Sequence, residues 1–521
     1  MGSKPVTNVQ EPGDLDRKDG IWSCNTLEKA ASLIQSHGPL HLLNYVQGEF
    51  QTTSSTKPPY IDSYEPKTGT AYAKVPCTQP DDVEAAIRAA KLAFPGWSKT
   101  PCAERSRYLR RVSELIQEHR ELLAVWESID QGKTIERARI EVDRAAANFS
   151  YFSTFILHEQ TAARMVDSAW LTYEHRSPAG VFALISPWNM PLYLLTWKIA
   201  PCLAFGCTAV AKPSEVTSMS AFLLSSLFKK ANIPAGVINI VFGDGPTTGS
   251  TLVASSLING VSFTGSTATG INIRRMVAAQ INKHLSLELG GKNPTLVFSD
   301  AMSNGHRDRT ISVAASAAFE NQGEICLCGS RIYVERAVYD EFVQSFTDYV
   351  SQKYTLGKTV GAVASLQHYA KVRSYLQLAT DEGVTFKLGG VPDALDNVDS
   401  TGGYWIAPTI LTNVAPTSAL QKDEIFGPVV TITPVDSEEE AVGLANDSEY
   451  GLAAVLLTAD GGRMRRVGEQ LEAGLVWVNG WLVRELGTPF GGMKSSGVGR
   501  EGGEYSRDVF TVVRTVHLPA Y

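Results

Sequence analysis

"GVFALISPWNMPLYLLTWKIAPCLAFGCTAVAKPSE", residues 180–215, decides the fold. It opens and closes on short apolar runs, "GVFALIS" and "CTAVAKP", set apart by a helical stretch and a glycine-bearing turn. The same texture continues to residue 300 with "VINIVFG", "GVSFTG" and "NPTLVF". A strand that is apolar on both faces must be covered on both, and alternation with helices gives a parallel sheet. The expectation is therefore an open α/β domain. Such sheets bind ligands at the carboxyl ends of their strands. Three of these runs end in residues that carry chemistry: "ISPWN", "AKPSE" and "FTGS".

A second α/β set follows from about 291, with "RIYVE", "PVVTITPV" and "GLVWVNGW" as strands and "DEFVQSFTDYVSQ" as a helix, so a boundary falls near 290. Upstream, "DDVEAAIRAAKLAF" and the stretch carrying Leu109, Val112, Leu115, Ile116, Leu122 and Leu123 on one face read as surface-packed helices. Residues 1–41 read as a peripheral lead containing a short helix, "TLEKAASLIQSH", and "HLLNYVQGEF" as the first strand. The acids of "SEEE", 437–440, begin an apolar-periodic stretch and complement a helix N-terminus.

The chain has 521 residues, 44% hydrophobic and 19% charged, which calls for two or three domains. The net charge of -7 is spread without a basic block, so neither a nucleic-acid nor an anionic-membrane partner is expected. No run of apolar residues is long enough to span a bilayer. The N-terminus lacks an apolar signal core, and Val6 breaks the myristoylation pattern, so a cytoplasmic protein is expected. Seven cysteines, without paired C-x-x-C spacing, favour neither a disulfide framework nor a metal site.

"FGDGPTTG", 242–249, resembles a dinucleotide fingerprint but misses its spacing by one, and a plain loop is the competing reading. "FTGSTATG", 263–270, leaves a strand and offers Thr264 and Ser266 as N-caps of a helix whose amides could face a pyrophosphate or simply be capped. Glu215 of "AKPSE" could accept from two ribose hydroxyls and would repel a 2'-phosphate; with Lys212 it could equally be surface. Glu288 of "LELGGKNP" stands between leucines before two glycines, where an apolar setting could tune it as a general base; a solvated carboxylate is the alternative. In "NQGEICLCGSR", 321–331, the polar turn before Cys326 suits an exposed nucleophile and Cys328 its small neighbour, against the option that both are core sulfurs.

Together, "SPWNMPL", "AKPSE", "FTGS", "LELGGKNP", "NQGEIC" followed by "SR", "EIFGPV" and "PFGGMKSSGVGRE", in this order, resemble the aldehyde dehydrogenase superfamily from about residue 42 to the C-terminus. The resemblance implies an α/β fold in three parts: a Rossmann-like NAD-binding domain (42–156 and 178–290), a catalytic domain (291–496), and a small oligomerisation arm (157–177 and 497–521). Residues 1–41 would be an N-terminal extension. It also implies Cys326 as nucleophile, Glu288 as general base and Asn189 as an oxyanion donor. Trp188, Lys212, Glu215, Gly245, Gly265, Ser266, Glu424 and Phe426 fall on positions that contact NAD. A small-molecule aldehyde would be oxidised to a free acid by a homodimer or homotetramer, with no metal. Within the superfamily, "LISPWNMPLYLLTWKIAP" and "WLVRELGTPFGGMKSSGVGREG" look like the branch that oxidises 2-aminomuconate 6-semialdehyde and 2-hydroxymuconate semialdehyde. That branch implies Arg144 and Arg484 as a clamp for a substrate carboxylate.

Overall fold

The computed structural model describes residues 20–53, 59–303, 305–393 and 402–520. Its first sheet has eight strands with five parallel ones at the centre. Their spatial order is His284–Glu288, Gly260–Thr264, Val181–Ile185, Thr208–Lys212 and Ile238–Ile240. The chain thus starts in the middle, builds to one side, and then returns to the other side of Val181–Ile185. The order reverses between Val181–Ile185 and Gly260–Thr264, which opens a crevice at their carboxyl ends.

Both faces of this sheet are covered, as its unbroken apolar strands require. Phe182 and Leu184 point into a core shared with helices Pro191–Ala204 and Met219–Lys230. Val181, Ala183 and Ile185 point into the opposite core, with Val83, Ala86 and Ile87 of helix Pro80–Trp97 and Ile273 of helix Thr267–Val277. The alternation is the period-two side-chain geometry of a strand.

A second, seven-stranded sheet runs in the order Thr385–Leu388, Thr409–Thr412, Val429–Val435, Gly329–Glu335, Asn293–Val297, Ala453–Leu457 and Leu475–Val478. Only its edge strand Thr385–Leu388 is antiparallel to its neighbour. A separate antiparallel sheet joins Ala163–Val166, Trp170–Pro178 and Thr511–Pro519, and it exposes Met165, Trp170, Leu171, Val513 and Leu518. No helix among the described residues is long and apolar enough to cross a membrane.

Several expectations are corrected. Residues 20–41 are not peripheral, because Ile21, Cys24, Ala30 and Leu33 are buried in the largest core; residues 1–19 lie outside the described residues. "HLLNYVQGEF" divides into Leu40–His41, Asn44–Val46 and Glu49–Gln51, the last two forming a hairpin on the edge of the first sheet. Helix Arg120–Gln131 is not surface-packed: Glu127, Asp130 and Gln131 are buried along with its apolar residues. "FGDGPTTG" is no plain loop, since Gly245–Gly249 forms a helical turn whose amides at Thr247 and Thr248 are capped by Asp244. Thr264 stays in its strand, and Ser266 alone caps the following helix by accepting from the Thr269 N–H. Gly497–Val498 does not run with the separate sheet; it pairs with His284–Glu288 in the first one.

Candidate active site

Cys326 lies in the turn between helix Arg307–Phe319 and strand Gly329–Glu335. Three consecutive left-handed residues, Asn321 (φ 51°), Gln322 (φ 55°) and Gly323 (φ 72°), redirect the chain ahead of it. Two of them carry side chains, a backbone cost of about 1–3 kcal/mol each that the surroundings must offset. Asn321 Nδ2 donates to the carbonyl of Asn189 at 3.2 Å, and Gln322 Nε2 to the Glu324 carboxylate and the Ala362 carbonyl, each at 3.2 Å. At Gly323 a Cβ would stand 2.2 Å from the Gly427 carbonyl oxygen, so only glycine fits. Behind the turn, Asn293 Nδ2 donates to the carbonyls of Cys326 (2.7 Å) and Cys328 (2.9 Å).

The two cysteines differ in what they face. Cys326 lines a cavity of about 510 Å³ with Asn189, Trp188, Gly290, Glu424 and Phe426. Cys328 is buried among Met190, Leu194, Leu327 and Phe490. Burial pushes the Cys326 thiol well up, with the Glu424 and Glu288 carboxyls adding to the effect and Arg484 opposing it.

Glu288 ends its strand inside the protein, 3% exposed, and neither carboxyl oxygen has a protein hydrogen-bond partner. Burial holds the carboxyl well above the usual carboxylate range, and repulsion from Glu501 adds to this against Lys198, Arg500 and Arg484. The segment "PFGGMKSSGVGRE" folds over it. Leu289 N–H donates to the Ser496 carbonyl at 2.8 Å, and a Cβ at Gly491 would meet Glu288 Oε1 at 2.9 Å. Glu501, from the end of that segment, is held by Trp197 Nε1 (2.6 Å), Lys198 Nζ (3.2 Å), Ser262 Oγ (3.0 Å) and Ser286 Oγ (3.2 Å).

Asn189 follows strand Val181–Ile185 at the switch point, two residues before helix Pro191–Ala204. Its Nδ2 donates to the Glu324 carbonyl at 2.8 Å, which uses one of two amide hydrogens and fixes the plane of the other. Its own carbonyl accepts from Lys133 Nζ at 3.1 Å. Lys133 is fully buried, bonded to Glu141 and 3.6 Å from Glu127, so the charge beneath Asn189 is neutralised inside the protein. Among the described residues no acceptor takes the Cys326 N–H, which leaves that amide available beside the Asn189 side chain.

A second lobe, about 470 Å³, adjoins the first and shares Trp188, Ser214, Glu215, Thr264, Gly265 and Ser266 with it. Two lobes joined across a switch point suit a two-part ligand such as a dinucleotide. At Gly245 a Cβ would meet no protein atom and would project into this lobe. The N-terminal end of helix Thr267–Val277 faces the same space through Ser266 and Thr269, where an anion is favoured. Lys212 Nζ is tied to the carbonyls of Pro213 (2.9 Å) and Gly243 (2.6 Å), and burial lowers its pKa, while Glu215 remains partly open to the cavity. In the first lobe the Trp188 ring stands edge-on to Phe426, with centroids 5.3 Å apart. Glu424 Oε1 accepts from the Gly291 N–H at 2.8 Å, and its Oε2 leaves no room for a Cβ at Gly290. At Gly291 a Cβ would stand 2.8 Å from the Cys326 carbonyl oxygen, so both positions after Leu289 are glycine. The residues fit NAD: a helix N-terminus for phosphates, a carboxylate for ribose hydroxyls, and an aromatic wall beside the thiol.

The aldehyde dehydrogenase family profile matches residues 52–516, nearly the whole of this architecture. The chain belongs to the aldehyde dehydrogenase family. It is 46% identical over 488 residues to the 2-aminomuconic semialdehyde dehydrogenase of Bos taurus, covering 92% of this chain and 98% of that protein. It is 40% identical over 487 residues to the 2-hydroxymuconic semialdehyde dehydrogenase of Pseudomonas sp. (strain CF600), covering 91% and 98%. The NAD+ complex of aldehyde dehydrogenase from Bacillus cereus has the same fold, with a TM-score of 0.87 at 35% identity, covering 92% of this chain and 97% of that one.

Arg144, from helix Ile135–Phe155, and Arg484 both stand against Tyr193, their Cζ atoms 5.1 and 5.6 Å from its ring centre. Arg484 also stacks on Trp197 (4.1 Å) and Phe490 (4.4 Å). Among the described residues neither arginine has an ion-pair partner, and Arg484 Nη2 is buried without any acceptor. Burial lowers the pKa of the Arg144 guanidinium, with Arg137 and Arg484 adding to the effect and Tyr193 and Glu141 opposing it. Two unpaired cations therefore converge on Tyr193, which belongs to the cluster that Cys326 packs against.

Sequence reasoning missed three groups that hold this site. Glu324 is buried, with its carboxyl pushed up to about 8 by burial, and it accepts from Gln131 Nε2 (2.5 Å) and the Ala364 N–H (3.0 Å). His368 is buried against Trp188, with ring centroids 4.8 Å apart, and its Nε2 lies 2.6 Å from the Phe426 carbonyl. Glu501 stood within a quoted motif, but nothing local marks it as a neighbour of Glu288.

Proposed function

We propose that the protein is an NAD-dependent aldehyde dehydrogenase that oxidises a short, carboxylate-bearing semialdehyde, such as 2-aminomuconate 6-semialdehyde, to the free acid. The observation that carries the substrate class is the pair of unpaired arginines, Arg144 and Arg484, which converge on Tyr193 in the cluster that Cys326 packs against. Planar guanidinium groups bind a carboxylate with paired hydrogen bonds.

In this reading Cys326 gives up its thiol proton to solvent as its Sγ bonds to the aldehyde carbon and the carbonyl π electrons move to oxygen. The second amide hydrogen of Asn189 and the Cys326 N–H receive the developing oxyanion. NAD, when bound, supplies the acceptor for the hydride that leaves the Cys326 thiohemiacetal. Glu288 then takes a proton from water, the water oxygen attacks the thioester, and the carboxylic acid leaves with the Cys326 sulfur regenerated. A free carboxyl at Glu288 favours hydrolysis over transfer to a thiol acceptor. Glu215 would hold the adenosine ribose, Lys212 and Gly245 line the same lobe, Gly265 and Ser266 would hold the phosphates, and Trp188, Glu424 and Phe426 would hold the nicotinamide half.

The same reading divides the chain into a cofactor domain (42–156 and 178–290), a catalytic domain (291–496) and an arm (157–177 and 497–521) that joins copies of the chain into a dimer or tetramer, the arm's second segment first pairing Gly497–Val498 with the cofactor sheet before Thr511–Pro519 enters the arm sheet. Exposed Met165, Trp170, Leu171, Val513 and Leu518 on the arm sheet support such a contact. All seven cysteines are free thiols, which fits a cytoplasmic protein.

The test is NADH formation by purified enzyme with 2-hydroxymuconate 6-semialdehyde, benzaldehyde and hexanal, with Cys326→Ala as control. A strong preference for the muconate compound, lost with Cys326→Ala, is expected. Comparable turnover of the neutral aldehydes would remove the carboxylate clamp. Turnover by Cys326→Ala would overturn the mechanism.

A further inference from the structure

Tyr193 stands in the first turns of helix Pro191–Ala204, four residues after Asn189 and four before Trp197. That spacing aligns it on one helical face with Trp197, the ring on which Arg484 stacks. Its backbone is fixed by Asn148 Nδ2, which donates to the Tyr193 carbonyl at 3.1 Å. Asn148 is in turn one helical turn after Arg144, so a single pair of helices sets both Tyr193 and Arg144.

The Tyr193 side chain is 2% exposed, yet its hydroxyl has no hydrogen-bond partner. A buried phenol normally finds one, and leaving it without costs stability. The orphaned hydroxyl is not alone. Arg484 Nη2 is orphaned too, Arg144 lacks a counter-ion, and both guanidiniums flank the Tyr193 ring. Tyr193 also belongs to the apolar cluster against which Cys326 packs. Three donors without an acceptor thus surround one region next to the nucleophile.

We infer that Tyr193 is a specificity-determining residue whose hydroxyl donates a hydrogen bond to the distal carboxylate of the substrate, completing a three-donor site with Arg144 and Arg484. The inference rests on the semialdehyde reading above and adds a residue to it. The tyrosine contributes what two arginines do not: a neutral donor on a rigid ring, which raises the number of bonds to the carboxylate without adding a third buried charge. It discriminates against neutral aldehydes because, with those bound, the hydroxyl stays unsatisfied.

The test is Tyr193→Phe in the full-length enzyme, which deletes one oxygen and keeps the ring on which both arginines lie. NADH formation is measured with 2-hydroxymuconate 6-semialdehyde and with hexanal, beside Arg144→Met, Arg484→Met and thermal unfolding. Loss of a hydrogen bond to a charged group predicts kcat/KM for the semialdehyde lower by roughly ten- to hundredfold, carried mainly by KM. Turnover of hexanal should be unchanged and Tm equal or higher, because an unsatisfied buried hydroxyl has been removed. Equal loss on both aldehydes, or no loss on the semialdehyde while either arginine variant impairs it, would overturn the role of Tyr193 alone. If the wild type shows no preference for the semialdehyde, or both arginine variants keep that preference, the substrate reading fails and Tyr193 falls with it.

Discussion

The side-chain amide of Asn189 donates to the backbone carbonyl of Glu324 at 2.8 Å, joining the end of a strand in the first sheet to the loop that carries Cys326 from the second. One hydrogen bond thereby ties the candidate oxyanion donor to the candidate nucleophile. The loop carbonyl orients the amide, and the amide holds the loop. Asn189→Ala removes both functions, and kcat should fall by about 10²–10³ with little change in the affinity for NAD. Steady-state kinetics with cofactor titration checks this; an unchanged kcat would contradict it.

Gly323→Ala tests the left-handed run before Cys326. With φ at 72° and a Cβ 2.2 Å from the Gly427 carbonyl oxygen, the substitution should cost about 1–3 kcal/mol of stability and displace the thiol. Denaturant unfolding and the rate of alkylation at Cys326 read the two effects.

Glu324 gives a pH signature. Burial sets its folded value at about 8, above an unfolded value of about 4.3, so the folded protein keeps a proton that the unfolded chain releases. That stabilisation is complete below the unfolded value and is lost as pH rises through about 8. Glu324→Gln cannot lose it. The Tm of the variant relative to wild type should therefore be higher at pH 9 than at pH 6, and a pH-independent difference would contradict the assignment.

Glu215→Gln tests cofactor choice. Removing the carboxylate removes its repulsion of a 2'-phosphate, so kcat/KM with NADP should rise about tenfold or more relative to NAD. An unchanged ratio would show that Glu215 does not face that ribose.

The parts of this site that were legible in the sequence are those written in contiguous residues. Asn189, Lys212, Gly265 and Glu288 follow or end apolar runs, where an open parallel sheet gathers its strand ends. The choice between Cys326 and Cys328 followed from the polar turn before the first and the strand after the second. What the sequence hid is long-range. Gln131 meets Glu324 across 193 positions and Ser262 meets Glu501 across 239, and neither pairing has a local pattern. The return of Gly497–Val498 to the first sheet was hidden for the same reason. The packing of residues 20–41 was misread because their polar residues outnumber the few, Ile21, Cys24, Ala30 and Leu33, that anchor them.

The most direct test of the mechanism is mass spectrometry of Glu288→Gln quenched after mixing with NAD and 2-hydroxymuconate 6-semialdehyde. With the water-activating carboxylate gone, an acyl thioester should accumulate on the peptide that contains Cys326, and on its sulfur rather than that of Cys328, with one equivalent of NADH formed per site. Absence of the adduct despite NADH formation, or acylation at Cys328, would contradict the assignment of nucleophile and base.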